Sequence, residues 1–379
     1  MKIRLPKLEG KSETYHLTGE PIAVRKPKAP FNRVSFAAAH VVADPMSSIG
    51  ELDWDKTLAF RHFLLDQGFG IAEAMDTSQR GMGLDWPMAH ELIARSLKSA
   101  GPAAPRIYSG CGTDHLMTDE ARSLDDVVKA YLEQLHAVQK LGGRVILMAS
   151  RALVRVAKSP DDYAQVYARV LREAEHPVIL HWLGEMFDPA LKGYWGSNDF
   201  PQAMKTCLAV IAANVAKVDG IKISLLDAEK ETIFRRQVAA GVKMYTGDDF
   251  NYPELIAGDA QGFSHALLGI FAAIAPAAAA GLAALAKGNT KKFHTLLDPT
   301  VPLSRLIFRA PTQYYKTGIV FLAWLNGHQD HFIMVNGAQS ARPLLYFTET
   351  FKLADQAGLL RDPDLAVKRM KSLLALYGQ

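Results

Sequence analysis

Eight times in succession the chain sets a short, apolar, β-rich run ahead of a longer helical pattern, and this alternation narrows the possible architectures more than any other feature. The runs are VSFAAAH (34–40), GIAEAM (70–75), RIYSGCG (106–112), GRVILMAS (143–150), HPVILHW (176–182), VDGIKIS (218–224), GVKMYTG (241–247) and a weaker GDAQGFSH (258–265). The first helical pattern, LDWDKTLAFRHFLLDQG, has Asp53 as N-cap and Gly68 as terminator. Others open at Trp86-Pro87 and span about 123–141, 160–173, 201–217 and 227–240, with a short segment after the seventh run. Strand–helix units of this length fit parallel strands joined by right-handed crossovers, and eight of them close a barrel. The expected fold class is therefore α/β, a (β/α)8 TIM barrel. An open doubly wound sheet is the alternative, but it calls for a dinucleotide-type glycine-rich turn after the first strand, and AAAHVVA (37–43) is not one.

Outside the repeat, residues 1–32 read as an extension with a small hairpin and a Pro-rich passage into the first strand. From about 291 to 379 the pattern is helical only, as in DPDLAVKRMKSLLALYG with Asp362 as N-cap. The expected organisation is an extension (1–32), a barrel (33–290) and a helical region packed on it (291–379). The 379 residues are 49% hydrophobic and 22% charged, ordinary globular values, and barrels of this length occur as one domain. Net charge is +4, and the basic clusters RKPK (25–28) and KRMK (368–371) are small, so a nucleic-acid partner is not expected. Cys111 and Cys207 lie far apart and form no metal-type pair, which points to a reducing, cytoplasmic setting. The first twenty residues carry no apolar core of a signal peptide, and the alanine-rich stretch 266–286, interrupted by Pro276, reads as a buried helix rather than a membrane span.

In such barrels the chemistry lies at the C-terminal ends of the strands. Candidates there are His40 and Asp44; Glu73, Asp76, Thr77 and Ser78; Thr113, Asp114 and His115; Ser150 and Arg151; His181 and Glu185; Lys222 and Ser224; Asp248 and Asp249; Ser264 and His265. Lys222 stands apart, because a charged amine is costly inside the apolar strand GIKIS. Burial lowers an amine's pKa toward the neutral form that attacks a carbonyl; a lysine snorkelling from a strand end is the competing reading. Asp249 is equally a cap for a helix opening near Phe250. Trp182, Tyr194 and Trp195 suggest either stacking on sugar or local packing. No HxH or HExxH spacing marks a metal site.

GIKIS in the sixth run, followed by TGDD (246–249) in the seventh, resembles the dihydrodipicolinate synthase / N-acetylneuraminate lyase superfamily, in which strand six carries a Schiff-base lysine. The similarity in element order spans roughly 33–290. It implies a Schiff-base (class I) aldolase, lyase or dehydratase acting on a 2-oxo acid or keto-sugar acid, with no cofactor and with self-association as a homodimer or homotetramer. The departures are specific. The family's Gly-Thr-Thr-Gly-Glu after strand two reads AMDTSQRGMG here, leaving Thr77 and Ser78 for the hydroxyl positions. The strand-five tyrosine is replaced by His181, and the turn after strand four, ASRALV, offers Arg151 in place of a tyrosine. The expected roles are thus Lys222 as nucleophile, His181 as proton relay, Arg151, Thr77 and Ser78 on a carboxylate, and Asp248 and Asp249 on further polar groups. A metal-dependent lyase or isomerase and a non-catalytic ligand-binding barrel remain the alternatives.

Overall fold

The computed structural model describes residues 1–47 and 50–379. In chain order it comprises the strands β1 (Lys2–Pro6), β2 (Ser12–His16), β3 (Ser35–Ala38), β4 (Gly70–Glu73), β5 (Ile107–Cys111), β6 (Arg144–Leu147), β7 (Val178–Leu183), β8 (Val218–Ser224), β9 (Lys243–Thr246) and β10 (His265–Leu268). The helices between β3 and β10 are α1 (Trp54–Asp66), α2 (Trp86–Ala100), α3 (Leu124–Lys140), α4 (Arg151–Val156), α5 (Pro160–Arg172), α6 (Phe200–Ala213), α7 (Ala228–Arg235) and α8 (Tyr252–Ala257). After β10 come α9 (Ala275–Leu285), α10 (Thr290–Leu297), α11 (Val301–Ile307), α12 (Tyr315–Leu325), α13 (Leu344–Gln356) and α14 (Pro363–Leu376). The chain divides into two compact units: one of Arg33–Ala38 and Gly70–Leu268, the other of Met1–Asn32, Ala39–Phe69 and Gly269–Gln379.

The first unit holds the barrel, which closes in the order β10-β3-β4-β5-β6-β7-β8-β9 with every neighbour parallel. Its strands are buried on both faces, so they read as continuous apolar runs rather than alternating ones. Phe36, Ala72, Tyr108, Ile146, Ile179, Tyr245 and Leu267 point inward and pack into one cluster. Gly220 makes room for this layer, since a Cβ there would lie 2.5 Å from the Tyr245 ring. The helices start where the sequence supplies caps: Asp85, Ser123, Ser150, Asp199 and Asp227 each accept a backbone N–H at a helix N-terminus.

Six of the expected strands lie within the runs that suggested them, and a seventh, β7, overruns its run by Leu183 alone. The eighth meets its run only at the last residue: Asp259 and Gly262 pair in a turn, and the strand is His265–Leu268, with all but His265 in the stretch read as helix. The residues HALL are apolar without a period, and periodicity does not separate a fully buried strand from a buried helix. The short α4 was not anticipated either.

In the second unit β1 and β2 pair antiparallel, as expected of the N-terminal segment. Tyr15 Oη donates to Asp355 of α13 at 2.8 Å, tying the hairpin to the helices. Every residue of α12 is buried, which explains why its sequence is apolar on all sides. Asp53 caps α1 and Asp362 caps α14, as the sequence predicts. Among the described residues no helix is long and apolar enough to cross a membrane.

Candidate active site

Lys222 lies on β8 with its Cα paired to His181 on β7 and to Tyr245 on β9. Register partners in parallel strands point to the same face, and Tyr245 belongs to the inward cluster, so Lys222 and His181 project into the mouth of the barrel. Only 8% of Lys222 and 1% of His181 is exposed. His181 Nε2 and Ser224 Oγ, two residues beyond Lys222, are 3.1 Å apart. Gly247 presses close to the lysine: a Cβ there would lie 2.3 Å from Ser224 Oγ and 2.8 Å from Lys222 Cε. Burial lowers the pKa of Lys222, with the charges of Asp76 and Asp249 pulling it back up. Burial, aided by the lysine's charge, holds His181 well below its ordinary value and thus neutral. The arrangement is a desolvated amine beside a neutral imidazole, the two groups that attack on a carbonyl and transfer of its protons require.

The segment after β4 turns tightly, with Ala74 in the left-handed region (φ 52) and Gln79 likewise (φ 64). Asp76 emerges from this turn onto the wall of a cavity of about 310 Å³ that His181 also lines. Thr77 and Ser78 are buried at 1% and 0%, outside that wall, and the Ser78 hydroxyl donates to Met75 O at 2.7 Å. Of the three residues of this turn, Asp76 is the one on the cavity wall. Asp248 is similarly engaged in its own loop: Oδ1 accepts from Phe250 N and Asn251 N, and Oδ2 from Asn251 Nδ2. Asp248 thus holds the turn into α8, which begins at Tyr252 with Asn251 before it. Burial raises the Asp248 carboxyl above the usual carboxylate range.

The sequence reading missed Arg80. Its guanidinium is buried at the cavity wall and forms a fork with Asp114, Nε to Oδ2 at 2.7 Å and Nη2 to Oδ1 at 2.8 Å. Nη2 also donates to Gln134 Oε1, and Nη1 to the carbonyls of Ala74 and Gly110. Gln134 in turn donates to Asp114 Oδ1. Burial would raise the Asp114 carboxyl, but the Arg80 bonds and charge outweigh it and hold it below its ordinary value. The one available sequence signal was an arginine in a glycine-rich turn directly after an apolar strand. Arg151 is on the same cavity wall, half-exposed, with Nε donating to Asp188 Oδ2 at 2.5 Å. Thr113 Oγ1 and Ser150 Oγ lie 2.6 Å apart beside it.

The remaining candidates do not line this cavity. Glu73 accepts from Ala74 N and Ser96 Oγ. His115 meets Gln134 and Glu133. His265 and Ser264 stand at the start of β10, not its end; His265 Nδ1 accepts from Val34 N, and Ser264 donates to Glu231. Glu185 is exposed. His40 and Asp44 belong to the other unit, where His40 Nε2 meets Gln329 Oε1 at 3.0 Å and Asp44 accepts from Met46 N. Trp182, Tyr194 and Trp195 are buried and pack with Tyr163, Tyr167 and Phe200, so packing rather than sugar stacking accounts for them. Among the described residues no three His, Cys, Asp or Glu side chains are grouped to hold a metal ion.

A family model described as a protein of unknown function, DUF993, matches residues 3–379. No curated protein matches the chain. Solved structures do. YagE, a prophage protein of the dihydrodipicolinic acid synthase family from E. coli K12 in complex with pyruvate, has a TM-score of 0.68 and 13% identity, covering 86% of this chain and 99% of its own. The dihydrodipicolinate synthase of Thermotoga maritima gives 0.65 at 16% identity, covering 88% and 100%. That of Acinetobacter baumannii, chloride-inhibited and complexed with pyruvate, gives 0.62 at 19% identity, covering 86% and 99%. The fold is thus the barrel of the dihydrodipicolinate synthase structures.

Proposed function

The chain belongs to the DUF993 family, and from that premise we propose that it is a Schiff-base-forming (class I) aldolase, lyase or dehydratase acting through Lys222 on a 2-oxo acid or keto-sugar. The observation that carries this is the buried amine of Lys222 in register with the neutral imidazole of His181. The neutral amine adds to the carbonyl carbon, and a proton passes from nitrogen to the carbonyl oxygen. Protonation of the resulting hydroxyl releases water and leaves an iminium. Its positive charge draws the electron pair of a neighbouring C–C or C–H bond, and reversal with water frees the lysine. His181, lining the cavity and bonded to Ser224, carries these protons. Arg151 offers its terminal amino groups to an anionic part of the substrate. Thr77 and Ser78 support the turn that presents Asp76, Asp248 holds the loop after β9, and Asp249 supplies negative charge to the lysine. The pyruvate present in the YagE and Acinetobacter structures supports a small carbonyl compound as ligand.

The test is borohydride trapping with pyruvate, larger 2-oxo acids and keto-sugars, with the modified peptide located by mass spectrometry. A reduced adduct on Lys222 is expected. No adduct on Lys222 with any carbonyl sinks the proposal.

A further inference from the structure

We infer that the carbonyl compound handled at Lys222 bears no carboxylate on the carbon next to its carbonyl, and is instead a hydroxyketone or hydroxyaldehyde of the sugar type whose hydroxyls are read by Asp76 and Asp114. This rests on the Schiff-base reading and sharpens it to one substrate class.

In a 2-oxo acid the carboxylate is bonded directly to the carbon that the amine attacks, so it must sit within a few ångströms of Lys222 Nζ. The strand end expected to receive it instead presents Asp76, a carboxylate on the cavity wall, while the Ser78 hydroxyl is turned onto Met75 O. Two carboxylates facing each other in a desolvated mouth repel strongly. Asp249 adds to the negative field at the lysine. A neutral carbinol group meets no such penalty, and each of its O–H groups donates to a carboxylate.

Arg80 does not rescue a carboxylate at this point. A guanidinium has five N–H donors, and here they are taken by Asp114 Oδ1 and Oδ2, Gln134 Oε1, Ala74 O and Gly110 O. Its effect is to fix Asp114, which keeps acceptor capacity on Oδ2 and 26% side-chain exposure, next to Thr113 on the same wall. Locked acceptors with a neighbouring hydroxyl suit a polyol. Arg151, after β6 and two strands round the barrel from Lys222, is the half-exposed cation on this wall, so a phosphate or acid on the substrate belongs at the end remote from the carbonyl. The cavity that Asp76, Asp114 and Arg151 share holds about 310 Å³ and reaches His181, the register partner of Lys222, rather than the lysine itself.

The experiment compares borohydride trapping on Lys222 by hydroxyacetone and dihydroxyacetone with trapping by pyruvate, each at the same concentration, in the wild-type chain and in Asp76→Asn. The expected result is at least a tenfold preference for the two hydroxyketones in the wild type, reduced at least severalfold in Asp76→Asn through a gain in pyruvate trapping. Equal or better trapping of pyruvate by the wild type overturns this inference while leaving the Schiff-base reading intact. An unchanged preference in a folded Asp76→Asn variant overturns the selecting role of Asp76. Absence of adducts with all three compounds removes the underlying reading as well.

Discussion

A lysine that attacks a carbonyl must first lose its proton, and at Lys222 burial drives that loss while Asp76 and Asp249 resist it. The net direction is downward from 10.5, so trapping rates should rise with pH and reach half their plateau below pH 10.5, measured by quenching with borohydride at short times. Lys222→Met, close in length and lacking the nucleophile, should give no adduct while thermal melts show the protein still folded. For His181→Asn the expectation differs: adduct formation persists, but turnover falls by about 10²–10⁴-fold, the usual contribution of a positioned acid–base group. Lys222 was legible because a charge in an apolar strand contradicts its surroundings. Arg80 was not, because its significance lies in partners as distant in sequence as Gly110 and Gln134. Thr77 and Ser78 were read by residue type, and only the folded turn shows that Asp76, one position earlier, reaches the cavity.

Among the elements, the contact between β8 and the end of β9 sets the lysine's position. Gly247 carries no side chain there, and a methyl group would press on Ser224 Oγ, Ile223 O and Lys222 Cε at once. Because one of these neighbours is backbone, the strain is not relieved by a rotamer change alone. Gly247→Ala should therefore cost about 1–3 kcal/mol by overpacking and reduce trapping on Lys222 more than the loss of folded protein explains; thermal melts and adduct yields on the same samples check this. Seven strands could be read from runs of Val, Ile, Leu and Ala bounded by glycine and polar residues, and most helices from their caps. The last strand escaped because HALL sits against the alanine-rich segment, where nothing but its pairing with Val34–Ala37 and Tyr245–Thr246 distinguishes it.

At the scale of the whole molecule, buried titratable groups set the pH of greatest stability. Burial holds His40 and His328 down to about 3 and His265 to about 4, and His181 well below 6.5. Below pH 6.5 the unfolded chain takes up protons that these folded histidines refuse, so stability falls with acidification toward those values. Glu231 works in the opposite sense, since burial lifts it to about 8. Its protonated form is favoured in the fold, so its contribution is full below 4.5 and disappears as pH rises to about 8. His331 is lowered by burial too, so five histidines outweigh one glutamate below 6.5. Above 6.5 Glu231 is opposed by Lys222, whose lowered pKa makes stability rise with pH. The melting temperature should fall on acidification below pH 6.5, and between 6.5 and 8 Glu231→Gln should shift its slope against pH upward; a flat acid limb, or an unchanged slope in Glu231→Gln, would contradict this. The unit that begins with the N-terminal hairpin also needs α13, and Tyr15 waits for Asp355, 340 residues later. At about 5–20 residues per second, that is a delay of roughly 20 to 70 seconds on the ribosome. The stretch ending at Leu268 is complete before then, so the hairpin, made ahead of the barrel strands, is seated after them.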